Sequence, residues 1–311
     1  MNSATTTPAK PVFATLALGS RYRFHAAQLA IDLEHLFPQF RLIVLTDAPQ
    51  YFSSFPHVQA WPHRQRAVFR CFHDKRFLIQ RARQESDACI VIDANIRLLA
   101  AGDDATFSEL DHGISAAHAY TIAGKWQSDE VPSLSSKQAE YLRKEKQWIG
   151  RVLDTLKLSP ETTCFPQEYL YAIKSSDDPM ITSWLEAWGD LADYFDYHRL
   201  TWSEGFGIGI AAAVTGLPLQ CVRVLPDTHY YKRRSHLFNL HTMQNPITRA
   251  QSLCHDQQEL LGRTLEPDTR SRRYRTRLGQ IIRYGQFRLK HRSDQPWLDA
   301  LHRRSEAHRT A

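Results

Sequence analysis

Two oxygen-bearing side chains, Asp93 and Asn95, stand directly behind the apolar run Cys89–Ile92 in the segment DACIVIDANIRLL. A short β-branched run of this kind suits a strand buried on both faces. Side chains alternate along a strand, so on an extended continuation Asp93 and Asn95 leave it on the same side. A carboxylate and an amide presented together are hard oxygen ligands, the kind that hold Mg²⁺ or Mn²⁺ and, through the ion, a diphosphate. The same pair also suits a plainer role, with Asp closing the strand and Asn filling a turn. The neighbouring elements have to decide between the two.

Those elements begin with Val12–Leu18, VFATLAL, which reads as a compact strand ending in Gly19-Ser20-Arg21. Glycine after a strand lets the backbone turn tightly or approach a ligand, and Arg21 is placed to meet a phosphate. Tyr22–Leu36 carries Phe24, Ala27, Leu29, Ala30, Leu33 and Leu36 at helical spacing. Leu42–Leu45 then predicts a second strand, closed by Thr46-Asp47-Ala48-Pro49. Strand, helix and strand in so few residues make a βαβ unit with parallel strands. The loops holding Arg21, Asp47 and Asp93 therefore fall on one sheet edge, where open α/β sheets bind ligands. An edge strand is expected near His57–Ala60, and His73–Glu85 reads as a helix whose Lys75, Arg76 and Arg81 add basic groups, either to that edge or to a solvated face.

Further on, Gly113–Thr121 reads as one small-residue strand containing His118, a core histidine or an acceptor contact. Gly124–Ser136 is polar and is expected to be a loop. Lys137–Leu158 predicts a long amphipathic helix, and the aromatics of Phe165–Ile173 and Met180–Tyr197 read as core. Gly207 and Gly209 follow no strand, so they are no nucleotide fingerprint; with Ala211–Ala213 they point to a helix packed very closely. Pro218–Val224 reads as the last strand. Two isolated acids stand out here. Glu204 suits a helix N-terminus, where acids are favoured, and Glu168 suits a strand end; either also suits chemistry.

The 311 residues, 42% hydrophobic and 23% charged, describe an ordinary globular chain. No apolar run approaches a membrane span, and the polar start lacks the apolar core of a secretory signal. Five scattered cysteines without CxxC pairs point to reduced thiols and a cytoplasmic location, with no zinc site. From Arg270 onward there are twelve Lys/Arg against three Asp/Glu, so the net charge of +6 belongs to the tail and the remainder is slightly acidic. Arg270–Arg292 interleaves arginine with Tyr274, Tyr284, Phe287 and Leu289. That suits a solvated helix face, an anionic membrane surface or a nucleic acid. Nucleic acid ranks last, because no recognition motif accompanies the charge.

ATLALGSRY at the first strand, LIVLTD at the second, HDKRFLIQRA before the third, DANIRLL at it and TWSEGFGIGIAA further on together resemble the GT-A glycosyltransferases, most closely glycosyltransferase family 6 and its bacterial relatives. The resemblance covers roughly residues 11–225. It implies a GT-A-like, mostly parallel α/β sheet flanked by helices; outside it, residues 1–10 read as a disordered leader and 226–311 as a helical, basic extension. It further implies transfer of a hexose from a nucleotide-sugar donor, UDP-linked, to a glycan or lipid-linked acceptor in surface polysaccharide synthesis, with retention of configuration. Leu18, Gly19, Ser20, Arg21, Asp47 and Lys75 would bind the nucleotide. Asp93 and Asn95 stand where the family carries its Asp-x-Asp metal motif; the second acid is Asn here, as in bacterial members that look metal-independent, so Mn²⁺ or Mg²⁺ dependence stays open. Glu204 or Glu168 would be the carboxylate beside the anomeric carbon, and Arg21, Lys75 and Tyr231–Arg234 would stabilise the departing diphosphate. A protein of the same fold that binds a nucleotide sugar without catalysis is the alternative.

Overall fold

The computed structural model describes residues 11–101, 110–116, 119–129, 134–174, 178–201, 203–222, 224–225, 230–232 and 270–310. A seven-stranded sheet organises them. In chain order its strands are β1 (Val12–Ala17), β2 (Leu42–Thr46), β3 (Val58–Pro62), β4 (Ala88–Ile92), β6 (Gly113–Ala116), β9 (Leu170–Lys174) and β10 (Leu219–Cys221), arranged β10-β6-β9-β4-β1-β2-β3. Six run the same way, and β9 alone is antiparallel to both of its neighbours, β4 and β6. Every residue of β1, β2 and β4 is buried, as their unbroken apolar runs require when helices cover both faces.

One face packs against α1 (Ser20–Leu36), where Phe13, Leu29, Leu33, Phe37 and Phe40 form the core. The other is covered by α2 (Lys75–Ala82), α4 (Ser136–Leu156), α5 (Asp178–His198), α6 (Glu204–Thr215) and α8 (Gln295–Thr310). Its core includes Trp184, Trp188, Tyr194 and Phe195. The long helix α4 starts at a full capping box, in which Ser135 and Gln138 exchange hydrogen bonds. Helix α6 is the close-packed one: a Cβ on Gly209 would lie 1.8 Å from the carbonyl oxygen of Cys164, so only glycine lets the helix rest on that backbone.

Four expectations are corrected. Gly113–Thr121 is not one strand: β6 stops at Ala116, and β7 (Ala119–Thr121) pairs instead with β8 (Cys164–Pro166) in a separate two-stranded sheet. Residues 124–129, expected in a loop, belong to α3 (Ile122–Asp129), whose one buried residue, Ile122, gives a weak periodic signal. The last strand is shorter than expected, and an unforeseen β11 (Tyr230–Lys232) pairs antiparallel with β5 (Ile96–Leu98). Finally, β4 ends at Ile92 and residues 93–95 turn back, with Ile96 N–H donating to the Asp93 carbonyl at 2.9 Å. Strand alternation therefore does not govern Asp93 and Asn95. The last described helices are α7 (Arg270–Lys290) and α8, a helical C-terminal region as expected. His118, Trp202, Arg233, Arg234 and residues 1–10 lie outside the described residues.

Candidate active site

The carboxyl ends of β2, β1 and β4 lie side by side, and the turns leaving them converge on one rim. At β1 the chain turns through Gly19, whose φ of 85° is a left-handed conformation that glycine adopts without a Cβ penalty. Gly19 N–H then reaches the end of β2, donating to both carboxylate oxygens of Asp47 at 3.1 and 3.2 Å. Arg23, one turn into α1, donates to the same carboxylate at 2.6 Å. Partial burial pushes the Asp47 carboxyl up, but the Arg23 hydrogen bond, the Gly19 N–H and the Arg23 charge outweigh it, leaving it below the usual range. No side chain caps the N-terminus of α1 and no acid occupies its first turn. Its leading N–H groups thus meet the rim with the positive end of the helix dipole.

Leu18 packs onto the core and Ser20 begins α1, leaving Gly19 as the turn itself. Tyr22 links this turn to the next: burial raises its hydroxyl, and the charges of Cys71, Arg21, Asp93 and Arg70 all act on it. Arg23, missed in the sequence, is the guanidinium that holds Asp47. Only the adjacency of β1 and β2 reveals it, because Arg21 and Arg23 look alike along the helix.

At the end of β4 sits a tighter cluster. Lys75 Nζ, at the start of α2, donates to Asp93 Oδ1 at 2.6 Å and to the Glu168 carbonyl at 2.8 Å. It also lies 3.0 Å from Glu204 Oε1, although off the angle for a hydrogen bond. Glu168 arrives because β9 runs backwards: its first residue, Leu170, pairs with Ile92, and Asp93 N–H donates to the Tyr169 carbonyl at 2.9 Å. The Glu168 carboxylate accepts the Gly205 N–H at 2.9 Å, capping the first turn of α6 from outside. Three acidic residues thus gather around one ammonium.

Their exposure separates their roles. The Glu204 side chain is only 4% exposed and that of Lys75 5%, against 23% for Asp93, while Glu168 is half-buried. Burial pulls Lys75 down, but Asp93 and then Glu204 more than compensate, so its ammonium stays charged well beyond neutral pH. Burial pushes Glu204 up, with Lys75 opposing and Glu168 and Asp93 adding. Beneath them the fully buried Tyr171 hydroxyl makes no hydrogen bond among the described residues, and burial raises it, Glu204 adding to the shift. Glu204 is held from behind by a relay. Trp188 Nε1–H donates to His73 Nδ1 at 3.0 Å, which places the remaining ring proton on Nε2, 3.2 Å from Ser203 Oγ. Ser203, the residue before Glu204, donates to the Leu200 carbonyl. Burial and the adjacent Arg76 push His73 down to about 3, so this ring is neutral.

The donor set fits a divalent ion poorly. Asp93 already faces Lys75 at 2.6 Å, an amide occupies the second position, and among the described residues no group of three His, Cys, Asp or Glu could hold a metal. An ammonium stands where the carboxylate pair of a metal site would be expected.

No family model matches the chain, and no curated protein matches its sequence significantly. Among solved structures the chain is similar to the apo WbbM bifunctional glycosyltransferase, at 14% identity and a TM-score of 0.38, over 66% of this chain. It spans only 38% of that protein's chain. It is also similar to the galactosyltransferase LgtC in complex with donor and acceptor sugar analogs, at 7% identity and a TM-score of 0.41, over 64% of this chain and 70% of that one. An active-site mutant of LgtC gives 6% identity and a TM-score of 0.48, over 79% and 96%. The structural neighbours are glycosyltransferases.

Proposed function

We propose that this chain transfers a hexose from a nucleotide-sugar donor, UDP-linked, to a glycan or lipid-linked acceptor, with retention, in surface polysaccharide synthesis. The observation that supports it is the junction, on the carboxyl edge of a mostly parallel sheet, of a glycine turn at an uncapped helix start with a lysine-centred carboxylate cluster. The leading N–H groups of α1 suit a diphosphate, the Gly19 N–H being taken by Asp47, and Arg21 stands in that first turn to meet its charge. Transfer also needs a carboxylate beside an oxocarbenium-like centre. Glu204, enclosed with Lys75, is a poor candidate for touching a sugar; Glu168, half-buried and oriented by the Gly205 N–H, is the better one. Lys75 and Glu204 then act as positioning residues for Asp93 and Glu168.

Because the donor set suits no divalent ion, nucleotide binding should not need one. Calorimetric titration with UDP is expected to give the same affinity within about twofold in EDTA and in Mn²⁺, and Arg21→Ala to weaken binding about tenfold or more, the worth of a charge-assisted contact. Binding that appears only with Mn²⁺ would overturn the metal-free reading. The enclosure of Glu204 favours a second reading, binding without catalysis; UDP binding with no turnover across a panel of UDP-sugars would select it.

The tail extends the proposal to an anionic membrane face. Helix α7 docks through Gln280, Arg283 and Tyr284, which bond to Phe69, Val68 and Tyr197. Its opposite face exposes Leu278, Ile281, Ile282 and Leu289, the last at 81%. These apolar residues recur at helical spacing on a strongly basic helix, the signature of an interfacial segment. Flotation with vesicles containing about one-third phosphatidylglycerol is expected to carry the protein at low salt and release it at high salt. Ile281→Ser/Ile282→Ser should abolish flotation without changing thermal stability, both residues being exposed.

A further inference from the structure

A cleft of about 690 Å³ opens between α3 and α4, lined among others by Lys125, Ser128, Asp129, Tyr141, Glu145 and Thr201. That volume lies within the roughly 300–1,000 Å³ of small-molecule sites. Glu145 is only 4% exposed, yet it lines the cleft and makes no hydrogen bond among the described residues. Its carboxyl oxygens are not sealed off, so the one direction they open to is the cleft, where they can meet a ligand's hydroxyl groups.

The cleft adjoins the lysine cluster. Thr201 lines it, and Glu204 comes three residues later, so their Cα atoms are at most about 11 Å apart. Lys125 Nζ stands 5.3 Å from the ring centre of Phe165, which packs on Phe206 of α6 and lies against Gly205. The Glu168 charge is felt at Glu145. One aromatic wall thus separates the two spaces.

The lining chemistry narrows the ligand. Asp129 is paired with Lys125, burial holds Glu145 neutral, and the exposed Lys137 adds one ammonium at the edge, so the lining concentrates charge of neither sign. What remains is a mixture of hydroxyls, a carboxyl, an ammonium and a phenol ring, which suits a neutral polyhydroxylated molecule. We propose that this cleft is the acceptor subsite, taking a terminal pyranose whose hydroxyls meet Glu145, Lys125 and Ser128 and whose face lies on Tyr141. This rests on the glycosyl-transfer reading above. Burial lifts the Glu145 carboxyl to about 8, with Lys125 and Lys146 opposing and Asp129 and Glu168 adding, so at neutral pH it both donates and accepts.

Saturation-transfer NMR of a panel of methyl pyranosides tests this, run in parallel with UDP titration on wild type, Glu145→Gln and Ser128→Leu. Ser128 is exposed, so leucine fills the cleft mouth without disturbing the fold. At least one glycoside is expected to bind wild type and to lose at least fivefold in affinity in both variants, with UDP affinity unchanged. A glycoside that binds all three proteins equally, or UDP binding without any glycoside binding, overturns the subsite. Glycoside binding lost in the variants with no UDP binding keeps the cleft as a sugar site and overturns the nucleotide-sugar reading instead.

Discussion

Lys75→Met is expected to destabilise the protein by about 3–5 kcal/mol at pH 8, the cost of leaving buried charge without its partner. Lys75 is what allows Asp93 and the buried Glu204 to sit within 3 Å of one point. Methionine keeps the length of the stem and removes only the ammonium. The deficit should depend on pH. Burial already pushes Glu204 above its ordinary 4.5, and losing the lysine pushes it further. A carboxyl raised in the folded state binds its proton more tightly there than in the unfolded chain, so stability is lost as pH climbs above 4.5. Wild type carries the same raised carboxyl, so the two proteins should run together near pH 4.5, and the variant should fall away above the pH at which wild-type Glu204 ionises. Urea unfolding at pH 4.5, 6 and 8 measures this. Adding Glu204→Gln should restore much of the loss at pH 8, because the carboxylates then no longer face each other unscreened. An unchanged midpoint in the single variant at pH 8 would mean that the cluster is not charged as described.

Arg97→Met is expected to cost about as much, 3–5 kcal/mol, for a related reason. Asp32 of α1 and Arg97 of β5 form a bidentate pair, with Nε and Nη2 each 2.6 Å from a carboxylate oxygen. Both residues are less than 5% exposed. Asp32 also accepts the Leu98 N–H at 3.1 Å. The pair pins β5 to α1 and so fixes the strand that resumes behind the Asp93–Asn95 turn. Without Arg97 a buried carboxylate loses the guanidinium fork that holds both of its oxygens. At roughly 2–4 °C per kcal/mol, the value for domains of about 150–250 residues, the melting temperature should fall by about 6–20 °C. Replacing both partners, as Asp32→Leu/Arg97→Met, should cost far less than the single change, since no charge is then stranded. A double variant as unstable as the single one would place the loss in packing.

How much of this the amino-acid order discloses depends on the range of the interactions. β1, α1, β2 and the buried β4 were legible, because each rests on local periodicity. So was the common edge for Arg21, Asp47 and Asp93, because a βαβ unit has one handedness. The reversal of β9 was not legible: a strand buried on both faces reads the same in either direction. With it went the means to see that Glu168 lies beside Asp93. The burial of Glu204 was equally hidden, since an acid at the start of a helix looks identical whether it faces water or a lysine 129 residues earlier. Asp93 and Asn95 were rightly singled out as a strand end, but the turn that breaks their alternation depends on Ile96 bonding back to Asp93.

The lone reversed strand also makes the sheet a two-piece assembly. On one side stand β3, β2, β1 and β4, on the other β6 and β10, and among the described residues these halves share no ladder except through the five residues 170–174. Whatever slackens that seam would move Glu168 away from Asp93 while leaving the glycine turn and Asp47 undisturbed. The glycine turn with Asp47 and the lysine cluster with Glu168 are therefore mechanically separable, and a substitution in 170–174 would shift the second without touching the first.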